Sequence, residues 1–187
     1  MRPGAGRSAP WVTTPSAFAL KISDELYRVV QGREAFAAGV CGILDLNRLE
    51  IVFSGAGNPP AIWVHANGEY EQLACSGVPL GVMKGAPYEE TRVEVQPSDR
   101  LLFYSDGAVE VDNADGMQLG TEGLISMLKT LGYPQYDIQS TAIDGALLEY
   151  SGALRLEDDL TFLELRFSSG PERSRPQPWD GRLVSDE

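Results

Sequence analysis

The sequence is short of basic residues, cysteine and histidine, and each shortage closes off a class of function. Fifteen Lys and Arg stand against 27 Asp and Glu, leaving a formal net charge of −12 over 187 residues. A nucleic-acid binder displaces counterions from phosphates with clustered Lys and Arg, so nucleic acid is not an expected partner. The two cysteines, Cys41 and Cys75, lie among small and apolar neighbours. They are too few for a disulfide framework and read as a reduced pair of the cytoplasm. His65 is the single histidine; zinc sites that need a second are excluded, and any Ser-His-Asp triad would rest on this one residue. No run approaches the roughly 18 apolar residues of a membrane span, and "MRPGAGRSAPW" lacks the apolar segment of a signal peptide. The expectation is a cytoplasmic protein with no membrane partner. A Gly-x-Gly-x-x-Gly turn after a strand, a Walker loop and a nucleophile elbow are also missing, so nucleotide-binding and acyl-transfer readings have no starting point.

What is present suffices for one core, since 43% of the residues are hydrophobic. Residues 1–13 and 168–187 are polar, Pro-rich and without period; the first is expected to be disordered or non-native and the second a disordered tail. "TTPSAFALKISDELYRVVQG" predicts a helix: Thr14 can cap, Pro15 suits the first turn, and Phe18, Ile22, Leu26 and Val29 share one face before Gly32. That face needs a sheet to cover. Strand chemistry follows. "FAAGVCGILDL" turns through Asp45–Asn47 into "RLEIVFSGAG", and "AIWVH" turns through Asn67 and Gly68 into "EYEQL". "YEETRVEVQ" leads through the turn "QPSDR" into "LLFYS", whose unbroken apolar run marks a central strand. Two helical patterns come next, "TEGLISMLKTLG" with Leu124, Ile125, Leu128 and Leu131, and "PQYDIQSTAIDGALLEYSGAL" with Ile138, Ala142, Leu147 and Tyr150. "TFLELRF" closes the order. Helix, strands, two helices, strand argues for an α+β fold with antiparallel sheets.

The residues able to carry chemistry are acidic. Asp106 ends the hydrophobic strand "LLFYS", and Asp158 with Asp159 precedes the last one. Carboxylates at strand ends, where the backbone is rigid and the side chain reaches water, are hard oxygen ligands of the kind Mg²⁺ or Mn²⁺ takes. Gly107 lets the chain turn away and leaves Asp106 uncovered. From spacing alone, an ordinary Ser-Asp-Gly turn and a solvated Asp-Asp cap are the simpler reading. Asp112, Asn113, Asp115 and Gly116 lack the frame of a calcium loop and read as a solvated loop.

Taken in order, "FSGAGNPPAIWV", "SGVPLGVM", "VQPSDRLLFYSDGAVEVDNADGMQLG" and "EDDLTFLELRF" resemble the C-terminal two thirds of the sporulation-stage-II-E type of bacterial PPM serine/threonine protein phosphatases. The resemblance runs from about Thr14 to Phe167. It implies a sandwich of two antiparallel sheets flanked by helices, with two Mn²⁺ or Mg²⁺ ions at one end activating water against a phosphoserine or phosphothreonine. It further implies Asp106 and Asp158 as catalytic metal ligands, Gly107 shaping the first site, and Asp159 orienting waters or serving a further metal. Asp158 is favoured over Asp159 because the first acidic position of that motif is the usual ligand. Implied partners are phosphorylated regulatory proteins such as anti-sigma-factor antagonists, with a sensor or receiver domain upstream.

Two departures qualify the match. The family's first metal motif, an Asp soon followed by Gly-His-Gly, belongs upstream of the helix beginning near Thr14, and residues 1–13 do not contain it. Residues 14–167 are accordingly expected to form an N-terminally incomplete domain, either an active phosphatase or a degenerate or truncated one that binds a regulatory partner. Asn58 also stands where the family usually carries His.

Overall fold

The computed structural model describes residues 13–30 and 35–168. The expectations for residues 1–12, for the helix stop at Gly32 and for the tail 169–187 fall outside them. Helix α1 (Pro15–Val30) is followed by strands β1 (Gly39–Asp45), β2 (Glu50–Ala56), β3 (Ala61–Val64), β4 (Tyr70–Leu73), β5 (Thr91–Glu94) and β6 (Arg100–Tyr104). A 3₁₀ turn (Asp106–Ala108), helices α2 (Gly120–Thr130) and α3 (Ser140–Ser151) and strand β7 (Phe162–Arg166) complete the chain.

The strands form two antiparallel sheets, one in the order β1-β2-β5 and the other β4-β3-β6-β7. Between them lies one core, with Ile51, Phe53 and Val93 from the first sheet facing Ala61, Leu73 and Leu101 of the second. The other face of the second sheet carries Ile62, Val64, Leu102 and Tyr104, which pack on Leu124, Ile125 and Leu128 of α2 and Ile143 and Leu147 of α3. α1 packs on β1 and β2. The layers are therefore α-β-β-α, the antiparallel sandwich flanked by helices that the sequence implies. β6 is apolar at successive positions because Leu101 faces one core and Leu102 the other. Each such fully buried side chain contributes about 1.5–3 kcal/mol.

The two hairpin turns form as expected. Asp45 Oδ1 accepts from the amides of Asn47 (2.8 Å) and Arg48 (3.1 Å), closing β1 onto β2. Gly68 holds a φ of 86° in the β3–β4 turn, where Asn67 Oδ1 accepts from Glu69 N at 2.9 Å. The turn before β6 is tied by a buried carboxylate: Asp99 accepts from Gln96 N (2.8 Å) and Ala66 N (2.9 Å).

Two helix readings need correction. α1 is capped by Thr14, whose Oγ1 accepts from Ala17 N at 3.3 Å, but it buries Pro15, Ala19 and Ser23. Phe18, Ile22 and Val29 are exposed, Val29 by 72%. Short side chains let the helix backbone approach its neighbours: Cys41 Sγ donates to Pro15 O at 3.2 Å, and Ser23 Oγ accepts from Gly81 N at 3.1 Å. Contacts of that kind carry no hydrophobic signature in a helical wheel. In the third helical segment, the helix itself begins only at Ser140, and its buried pair is Ile143 and Leu147. Ile138 packs on the core from the preceding loop.

Candidate functional site

β6 and β7 are antiparallel neighbours in register Tyr104↔Phe162, so the end of one strand meets the start of the other. Ser105 ties the junction. Its amide donates to Thr161 O (3.1 Å), its hydroxyl donates to Asp159 O (3.0 Å), and the same hydroxyl accepts from Thr161 N (3.0 Å). These bonds bring Asp106–Gly107 and Asp158–Asp159 to one rim of the sandwich.

Gly107 sits at the closest point of that junction. A Cβ placed on it would stand 2.8 Å from Asp159 O and 3.3 Å from the Asp158 Cβ. The requirement for glycine here is thus one of space, since the turn lies directly against the Asp-Asp backbone. Asp106 opens the 3₁₀ turn, with its carbonyl accepting from Val109 N and Glu110 N, each at 2.8 Å. One carboxylate oxygen of Asp106 accepts from Gly107 N (3.0 Å), and one of Asp158 from Asp159 N (2.8 Å). Asp106 is half-buried, whereas Asp158 and Asp159 are exposed.

These donors suit a hard divalent cation in kind, being carboxylate and backbone oxygens, and Gly107 leaves the space that brings them together. In number they fall short. Among the described residues no three His, Cys, Asp or Glu side chains converge closely enough to hold a metal ion. The rim supplies one wall of a site, with Asp106 on one side and the Asp158–Asp159 backbone on the other.

Two cavities border this wall. One, of about 740 Å³, runs beneath α3 and is lined by Ile143, Leu148, Phe162, Glu164, Asp158 and Asp159 among others. The second, of about 430 Å³, is lined by Gly107, Glu110, Asp112, Glu157 and Asp158. At the far wall of the first, burial would raise the Glu164 carboxyl, but bonds from Arg166, Tyr133 and Arg100 hold it below the ordinary range. Burial pushes the Tyr104 hydroxyl up, and that hydroxyl pairs with Thr121 Oγ1 at 3.2 Å.

The other polar candidates lie elsewhere or serve the fold. His65 follows β3 at the end where Val64 pairs with Arg100, opposite the Asp106 rim, and bonds Glu71 at 3.0 Å. Asn113 organises its loop by accepting from Asp115 N and Met117 N, so the acidic stretch 112–116 is a self-bonded turn. Asn58 precedes β3 on the Asp106 side of the sheet, and its Oδ1 is buried without a partner among the described residues. Two further residues, Ser105 and Arg155, belong to the site's surroundings without having been singled out in the sequence. Ser105 could have been found from its place in Ser-Asp-Gly; Arg155 has no motif to signal it.

Among the described residues no helix is long and apolar enough to cross a membrane. Residues 5–168 match the family model of stage II sporulation protein E (SpoIIE). The phosphoserine phosphatase RsbP of Bacillus subtilis is 28% identical over 67 residues, which are 36% of this chain and 17% of RsbP. The chain likewise matches only 23% of the length of protein IcfG of Synechocystis, at 19% identity across 78% of this chain. Among solved structures, the SiaA-PP2C domain of Pseudomonas aeruginosa superposes with a TM-score of 0.66 at 20% identity, covering 83% of this chain and 61% of that one. With the fold of that phosphatase domain and a family match along most of its length, the chain belongs to the SpoIIE family.

Proposed function

We propose that the chain is the catalytic part of a metal-dependent phosphoprotein phosphatase that hydrolyses phosphoserine or phosphothreonine on a regulatory protein of a bacterial signalling pathway. One observation carries the reading: Asp106, Gly107, Asp158 and Asp159, distant in sequence, share one rim of a sandwich of this family. The name of the Bacillus relative, a phosphoserine phosphatase, supports the substrate class.

In this reading Asp106 and Asp158 are metal ligands, and Asp159 orients water or serves a further ion. Gly107 keeps the Asp106 turn against the Asp158–Asp159 backbone, and Ser105 locks the strand ends. Bound Mn²⁺ or Mg²⁺ would supply a water of lowered pKa and offset the phosphate charge. Anti-sigma-factor antagonists are the partner class the reading favours, in the cytoplasm.

The test is hydrolysis of p-nitrophenyl phosphate and of a phosphoserine protein with Mn²⁺. Asp106→Asn should lower the rate at least about a hundredfold, as loss of a group acting directly on the reaction does; equal rates overturn the proposal. Asp158→Asn should fall further than Asp159→Asn. A second reading, a degenerate domain that binds a regulatory partner without turnover, is favoured by the incomplete carboxylate cluster. Calorimetry showing two tightly bound Mn²⁺ ions together with turnover would count against it.

A further inference from the structure

The loop joining α3 to β7 places one cation among carboxylates. Gly152, left-handed at φ 67°, ends α3 and lets the chain turn back toward the rim. Arg155, three residues on, lines both of the cavities that Asp158 lines. Among the described residues no lysine and no other arginine lines either one. Its surroundings are acidic, with Glu110, Asp112 and Glu157 on one side and Asp144, Asp159 and Glu164 on the other. Arg155 is nevertheless exposed, and it makes no ion pair among the described residues. Arg100 and Arg166, by contrast, are both engaged by Glu164, at 3.0 and 2.7 Å.

A phosphomonoester carries up to two negative charges and is repelled by such a rim. A guanidinium presents paired N–H donors matched to two phosphate oxygens, and it holds its charge at any working pH. We propose that Arg155 is a substrate-binding residue whose guanidinium takes two oxygens of the phosphoryl group and holds it beside Asp106 and Asp158. The proposal rests on the phosphatase reading above. Because Arg155 touches both cavities, it can engage the phosphate while the adjoining polypeptide lies along either one.

The experiment is calorimetric titration of the chain with inorganic phosphate in the presence of Mg²⁺, for wild type, Arg155→Ala and Arg155→Lys, with Mn²⁺ titrated separately into all three. Arg155→Ala should weaken phosphate binding about tenfold, the scale of one charge-assisted bidentate contact. Arg155→Lys should recover part of the loss, keeping the charge without the fork. Mn²⁺ affinity should be unchanged or slightly higher in both. In turnover, KM for a phosphoserine peptide should rise by more than kcat falls. Unchanged phosphate affinity in Arg155→Ala, with normal Mn²⁺ binding throughout, overturns the role of Arg155 alone. Tighter Mn²⁺ as the sole effect makes Arg155 an internal counter-ion and overturns it too. No Mn²⁺ binding by the wild type overturns the metal-site reading, and this one with it.

Discussion

Gly107 lies against Asp158 so closely that a Cβ on the glycine would stand 3.3 Å from the Cβ of the aspartate and 2.8 Å from the carbonyl of Asp159. The listener to that contact is the whole rim, because the nearer obstacle is backbone and cannot rotate away. Gly107→Ala must therefore push the Asp106 turn off the Asp-Asp segment. Overpacking of this kind costs about 1–3 kcal/mol, a fall in Tm of roughly 3–10 °C for a chain of this size. On the proposed metal-site reading, the same variant should also bind Mn²⁺ more weakly than wild type by calorimetry. Unchanged Tm and unchanged Mn²⁺ affinity together would show that the Asp106 turn and the Asp-Asp segment do not need this contact.

Asp99 is acidic and 2% exposed, and it lies in the turn that feeds β6. It bonds two backbone amides, Gln96 N and Ala66 N, and so joins the β6 turn to the end of β3. Asp99→Ala removes the acceptor of both part-buried bonds, and a hydrogen bond to a charged group contributes about 1.5–3 kcal/mol. Chemical denaturation should show that loss. On the proposed phosphatase reading, turnover per folded molecule should be unchanged in this variant, which would separate Asp99 from Asp106.

Glu164 supplies a pH-dependent contribution with a defined sign. Burial opposes its charge, yet bonds from Arg166, Tyr133 and Arg100 lower its folded pKa below the ordinary 4.5. A carboxyl depressed by folding stabilises the native state above its unfolded pKa, and that stability is lost as pH falls through the folded value. Between pH 7 and the acid range below 4.5, wild type should lose more stability than Glu164→Gln, while Glu164→Gln should be the less stable protein near neutrality. Parallel stability curves for the two proteins would contradict this.

The cysteines offer a test of the core between the sheets. Burial pushes the Cys75 thiol up to about 12, with Cys41 nearby adding to the shift. Cys41 is raised as well, again mainly by burial. Only the thiolate reacts with an aromatic disulfide reagent, so Cys41→Ser protein at pH 8 should release its remaining thiol only on addition of denaturant. Rapid labelling of the native variant would mean that the inter-sheet core opens near β4.

The strand pattern and the acidic positions of the rim were legible along the chain because both are local signals. An apolar run such as "LLFYS" can only be doubly buried, and a carboxylate that ends it must lie where the sheet meets water. The turns at Asp45 and Asn67–Gly68 were legible for a similar reason, as side chain and backbone bond within a few residues. Which strands share a sheet was not legible: β2 and β3 follow one another yet belong to different sheets, since pairing depends on which faces become buried together. Nor was the buried side of α1, where Ala19 and Ser23 win over Phe18 and Ile22 because close backbone approach and hydrogen bonds outweigh side-chain size. Residue types named Asp106 and Asp158 as candidates; only the antiparallel register of β6 and β7 set them on one rim, and only the path of the α3–β7 loop put Arg155 along the cavities that Asp158 lines.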